Sequence, residues 1–456
     1  MLLAIPIVVM ALGAALLWIA ANPSRLIYFV PVLLAFEYRF RLTTFSFDLS
    51  ELCFVLMLLV CIVHAWEGKQ SRTVHELPPQ WLLVLFLAVS AFPGVFLESD
   101  TAHAASVYRD LMVPFLFLLA FLQARLDEKQ IYSLIKFACI LSFANACLGI
   151  VQYITGNYLW FAGPLEADWQ AYKTGLAKLS IFGGFLGVQD TLPVGLYTGA
   201  NNFACYLSLP LCLAVTLAFS PDLAKRKRLI CAFAAVLMFV SLLFTIFRSG
   251  LLVFAASMMA VHLLLSRRRG FWRVAAVASL ACLIAFLFLT QGLFDWDQFG
   301  SFAGRQDMIS ETFTLIKSHP ELLLTGGFSD LYHVQSRETQ EIHNLALYSI
   351  VQYGLPATIL FFSFFLRFFF RAIRAVLALS GIARSVLAAI VASLAANVFL
   401  YGSTTMLIDS VQTSLWLLFW TGIAMYLIAY APATVAVPSR AMLPHSALLA
   451  EHGKLT

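Results

Sequence analysis

Three residues in this chain have side chains suited to handling a phosphorylated leaving group, and they are Arg248, Arg305 and His343. An arginine fork binds phosphate oxygens in pairs and stays charged at any ordinary pH. His343 opens an apolar run, where the positive end of a helix dipole disfavours imidazolium and leaves the ring able to take a proton. Two fixed cations and a neutral imidazole match the needs of sugar transfer from a diphosphate-linked donor. The cations stabilise charge on the departing diphosphate, and the imidazole deprotonates the acceptor hydroxyl as it attacks the anomeric carbon. Each residue also has a plainer reading. Arg248 could reach for lipid phosphates from a helix end, Arg305 could pair with Asp307, and His343 could be an interfacial helix-end histidine.

The elements that position these residues are apolar. Of 456 residues, 61% are hydrophobic and 12% charged, with a mean hydropathy of +0.87. A soluble domain has roughly 25% charged residues, so the composition excludes an ordinary soluble enzyme and predicts an all-α, polytopic membrane protein. Apolar runs of spanning length, about 20 residues, occur near 2–20, 49–65, 80–97, 107–124, 131–154, 198–219, 229–247, 249–265, 271–290, 343–366, 382–401 and 411–430. A shorter run at 26–37 either spans or is re-entrant, giving twelve or thirteen helices and leaving the side of the N-terminus open. The first run has no basic residue ahead of it and reads as a span, not a cleaved signal. All eight cysteines (Cys53, Cys61, Cys139, Cys147, Cys205, Cys212, Cys231 and Cys282) fall in apolar runs, as small packing residues do.

Orientation follows from the basic clusters. Residues 229–265 hold one charge, Arg248, between Lys225-Arg226-Lys227-Arg228 and Arg267-Arg268-Arg269. Both clusters are expected in the cytoplasm, so the run crosses, reverses at Arg248-Ser249-Gly250 and crosses back. Arg248 then stands at the outer face. The same alternation puts two loops outside, 155–197 and the larger 291–342, while Arg39 and Arg41 fit the scheme poorly.

The 291–342 loop carries eight acids and three bases, so it is no general anion trap. Within it, Ile309, Phe313 and Ile316 share one face of a short amphipathic helix expected along the membrane surface, ended by Pro320 and a Gly326-Gly327 turn. The aromatic 155–197 loop could stack on sugar rings or form an interfacial belt. Glu98-Ser99-Asp100 is weak as a cation site, and Glu37, Lys136 and Arg384 read as structural pairs or helix-end snorkellers. The 1–430 membrane domain is followed by a Pro/Ala-rich 431–456 tail, expected to be disordered and cytoplasmic.

Three blocks of the chain resemble the O-antigen ligase/O-antigen polymerase family of bacterial membrane glycosyltransferases. Pro193–Leu209, PVGLYTGANNFACYLSL, looks like that family's G-x-x-x-N-x-x-A-x-x-L helix start, with Asn201 or Asn202 at the asparagine. Phe244–Val253, FTIFRSGLLV, is similar to its T-x-S-R-G/S segment, with Arg248 at the arginine and Phe247 where serine is frequent. Gly304–Gln352 resembles its GR…W…P-x-x-G-x-G…HN-x-x-L block, with Arg305, Pro320, Gly326, His343 and Asn344 in place and the tryptophan missing. The likeness spans roughly 192–366.

The resemblance implies a glycosyltransferase-C-like helical fold and metal-independent transfer, with no cofactor, at the periplasmic face of the bacterial inner membrane. It implies an undecaprenyl-diphosphate-linked glycan as donor and a glycan or lipid A-core as acceptor. Arg248 and Arg305 would hold the diphosphate, His343 would stand near the acceptor or leaving oxygen, and Asn202 and Asn344 would support them. Polymerisation of O-antigen or exopolysaccharide repeat units is the first expectation, ligation to lipid A-core the second and protein O-glycosylation the third. A flippase and a chain-length regulator are candidate partners alongside membrane lipids, and nucleic acid is not a partner. A polysaccharide flippase or transporter is the alternative of another class.

Overall fold

The computed structural model describes residues 23–35, 39–42, 45–66, 80–96, 101–124, 126–155, 195–197, 200–245, 248–265, 310–320, 322–326, 345–399 and 411–430. They form a helical bundle with one small hairpin. In chain order, a 3₁₀ turn at Pro23–Tyr28 leads into α1 (Phe29–Ala35), then β1 (Arg39–Leu42) and β2 (Phe45–Asp48). A second 3₁₀ turn, Leu49–Glu51, precedes α2 (Leu52–Trp66), α3 (Gln80–Phe96), α4 (Thr101–Gln123) and α5 (Glu128–Thr155). There follow α6 (Ala200–Ala218), α7 (Lys225–Phe244) and α8 (Arg248–Leu265). The rest is α9 (310–318), α10 (Leu322–Thr325), α11 (Leu345–Ala378), α12 (Gly381–Phe399) and α13 (Val411–Ala429).

Four of these helices, Glu128–Thr155, Lys225–Phe244, Gly381–Phe399 and Val411–Ala429, are long and apolar enough to cross a membrane. Ten expected spans coincide with helices, whereas 2–20 and 271–290 lie outside the described residues. The run at 26–37 is too short to cross. Six 3₁₀ residues and seven α residues reach roughly 22 Å, against about 30 Å of hydrocarbon. The hairpin after it pairs Arg39 with Asp48 and Leu42 with Phe45. It adds the described strands to a chain expected to be all helix, and it explains why Arg39 and Arg41 fit no span.

The axis of the bundle is α13, buried from Val411 to Leu427, whereas α7 buries only Ala235, Met238, Ser241 and Leu242. Trp416 and Trp420 are fully enclosed, and Phe419 packs on Phe121 of α4 with ring centroids 5.7 Å apart. Gly422 permits that approach, since a Cβ there would stand 2.5 Å from Phe121 Cδ1. Tyr426 Oη lies 3.0 Å from Phe121 O and 3.2 Å from Leu122 O, while His64 and Tyr430 reach the carbonyls of Ala124 and Leu126. Carbonyls at the end of α4 and in the link to α5 are thereby covered inside an apolar bundle. By contrast, α7 leaves Leu229, Ile230, Phe233 and Val236 exposed on one side, as a hydrocarbon-facing helix does. The seven described cysteines are free, in keeping with packing roles.

Candidate active site

The segment before α6 is fixed before the helix begins. Gln152 of α5 makes two bonds to Gly195, donating from Nε2 to Gly195 O at 2.8 Å and accepting from Gly195 N at 2.8 Å. Asn145, two turns earlier on the same helix, accepts from Leu196 N at 2.8 Å. Gly195 has φ of 58°, and a Cβ would fall 2.2 Å from Asn145 Oδ1, so only glycine fits. Tyr197 and Gln412 both donate to Leu34 O, at 2.7 and 2.9 Å, and Asn145 Nδ2 donates to Ala35 O at 3.4 Å. The end of α1 stops inside the bundle, and side chains of α5, α13 and the α6 approach satisfy its carbonyls.

Asn202 sits in the first turn of α6, half-buried. Arg248 is the first residue of α8. The expected reversal at Arg248–Gly250 falls earlier, because α7 ends at Phe244 and Thr245 caps it through Oγ1 to Leu242 O at 2.6 Å. Gly250 therefore serves a different purpose from a turn. Its missing side chain lets α8 close on α6, where an added Cβ would lie 2.8 Å from Ala204 Cβ. Ala204 follows Asn202 by two residues and Gly250 follows Arg248 by two, so the two helices start side by side.

The start of α11 lies at the same end of the bundle. Asn397, near the end of α12, donates to Ser208 Oγ at 3.2 Å and lies 3.2 Å from Cys205 Sγ, both in the first half of α6. Arg384 at the beginning of α12 donates to Leu264 O at the last turn of α8, 3.0 Å away. Since α11 and α12 run antiparallel across a two-residue link, α11 begins where α6 and α8 begin.

His343 and Asn344 immediately precede Leu345, the first residue of α11. The surface helix expected from the sequence docks here as α9, with a different inner face. Leu315 packs on Val351, with Ile316, Leu347 and Tyr348 around them, and Thr312 is buried, whereas Phe313 is 58% exposed. The turn after α10 is seated just as closely. Gly326 (φ 72°) leaves room for Gln352 O and Gly354 N, each 2.6 Å from where a Cβ would be. There α11 itself breaks, at Gly354 with φ 82° and ψ 163°. α9 and α10, which precede the 327–344 segment, are thus both packed against α11 around Leu347–Gly354.

Arg305, His343, Asn344 and the side chain of Arg248 lie outside the described residues, as do Glu37, Glu98-Ser99-Asp100, most of 155–197 and the 431–456 tail. Lys136 is exposed on α5, as a snorkelling lysine would be. Sequence reading passed over Asn145, Gln152 and Gln412. The signal for the first pair was their spacing, i and i+7 on one face of an otherwise apolar run.

Residues 233–362 match the family model described as O-antigen ligase, a stretch that runs from α7 into α11 and contains Arg248, Arg305, His343 and Asn344. No curated protein matches the chain. The match supports a polysaccharide-assembly membrane enzyme acting on a lipid-linked glycan. Residues 233–362 are thus similar to an O-antigen ligase, within a chain that carries four helices long and apolar enough to cross a membrane.

Proposed function

We propose that the protein transfers a glycan from undecaprenyl diphosphate to a sugar hydroxyl at the end of the bundle where α6, α8 and α11 begin, the periplasmic face. The acceptor oxygen bonds to the anomeric carbon as the bond from that carbon to the diphosphate oxygen breaks. His343 takes the acceptor proton, and Arg248 and Arg305 take up the charge left on the diphosphate. The observation that carries this reading is the shared start of α6 and α8 inside a chain whose 233–362 stretch matches an O-antigen ligase. An arginine at a helix N-terminus opposes the helix dipole, and an anion bound there resolves the conflict, since it pairs with both. Gln152 and Asn145 are buried at the approach to α6, and burial strengthens charge interactions.

The acceptor we assign is the end of another repeat unit, making the reaction a polymerisation. The description of the matching family model, O-antigen ligase, favours a second reading in which lipid A-core is the acceptor. Deletion of the gene followed by gel analysis of surface glycan separates the two. Loss of long chains with one repeat still on the core supports polymerisation, whereas loss of every attached repeat with carrier-linked polymer accumulating supports ligation. Unchanged surface glycan would overturn both.

A further inference from the structure

At the opposite end of the bundle from Asn202 and Arg248, the α6–α7 turn and the first turn of α12 line an open recess of about 90 Å³. Phe219, Ser220, Asp222, Gly381, Arg384 and Ser385 are among the residues that line it. Four features there suit a phosphate group. The N–H groups of the first turn of α12, a 19-residue helix, have no partners within that helix and carry its positive dipole end. Gly381 opens that turn with φ of 65° and has nothing within 4 Å of where a Cβ would be, so the recess is open beside the start of α12. Arg384 contributes a guanidinium, held in place by its bond to Leu264 O at 3.0 Å. Ser220, only 3% exposed, has a buried Oγ with no hydrogen-bond partner. A buried hydroxyl without a partner costs free energy, and a ligand oxygen would remove that cost.

We propose that this recess binds the phosphodiester of a lipid headgroup. The site lies at the end of apolar helices, where headgroups stand, and the exposed Lys225, Arg226 and Lys227 follow Asp222 closely in the chain. Asp222 decides between sources of phosphate. A carboxylate lining the recess disfavours doubly charged inorganic phosphate more than a singly charged diester. The apolar flank of Phe219 and Leu265 suits the glycerol and first methylenes of a lipid and offers nothing to a free ion.

The test uses the full-length protein, delipidated in uncharged detergent, with thermal melting followed against short-chain phosphatidylglycerol, diacylglycerol and inorganic phosphate. The expected result is stabilisation by phosphatidylglycerol alone. Its half-effect concentration should rise about tenfold in Arg384→Gln and roughly threefold in Ser220→Ala, the sizes of a charged and a neutral hydrogen bond, and should fall in Asp222→Asn. Because Arg384→Gln also removes the bond to Leu264, Ser220→Ala, whose hydroxyl has no partner to lose, is the deciding variant. Equal stabilisation by diacylglycerol or by inorganic phosphate overturns the proposal, and so does an unchanged half-effect concentration in Ser220→Ala.

Discussion

Arg248 opens α8 with its charge at the end of the helix that already favours anions. A residue kept there for packing alone would tolerate alanine. Under the proposed transfer, Arg248→Ala and Arg305→Ala should each lower polymer output by about 10²–10³-fold, as loss of a donor to a developing oxyanion does, with membrane levels of the protein unchanged. His343→Ala should cost about 10²–10⁴-fold, the range for a positioned general base. The base must be neutral to act, so transfer by the parent protein should rise with pH and level off as the imidazole loses its proton. The rising limb should be absent from the residual activity of His343→Ala. Normal output from a well-expressed alanine variant would remove that residue from the chemistry. As candidates, Arg248 and His343 were legible because a charge or imidazole beside hydrocarbon stands out, while Arg305 leans on the family resemblance. Asn145, Gln152 and Gln412 were not, because amides carry no charge and their partners are backbone groups of distant segments.

Helices set where those side chains can go, and two glycines set the helices. Gly195→Ala would put a Cβ 2.2 Å from Asn145 Oδ1 at a left-handed backbone position, so it should destabilise the protein by about 1–3 kcal/mol in a melting experiment. Gly250→Val should spread the starts of α6 and α8, given 2.8 Å between an added Cβ and Ala204 Cβ. Its activity should fall further than its melting temperature explains, and a purely structural role for Gly250 would make the two losses track each other. Most helices could be read from length of apolar run, because lipid forces every backbone group into a helix over that distance. Short elements escaped this rule. α1 ends inside the bundle with its carbonyls met by Tyr197, Gln412 and Asn145, and a hairpin of four-residue strands gives no spanning signal. The reversal before α8 was placed too late because glycine reads as a turn, while Gly250 is needed for close helix contact.

The order of helices along the chain was therefore legible, but their arrangement in space was not. Both α13, buried over nearly its whole length, and α7, with few buried residues, carry an apolar run of spanning length, and nothing in such a run separates a neighbour made of lipid from one made of protein. Only the packing shows α13 as the axis and brings the starts of α6, α8 and α11 to one end. At this scale the competing account is transport, in which the same surface would admit a glycan carrier without cutting it. The measurement that separates them is made on the purified protein in nanodiscs supplied only with an undecaprenyl-diphosphate-linked repeat unit and a glycan acceptor, reading free carrier diphosphate and glycan length together. Polymerisation predicts carrier release in step with glycan lengthening, and both lost in Arg248→Ala. Intact donor after full incubation with an active preparation, or lengthening that persists undiminished in Arg248→Ala, would contradict the account.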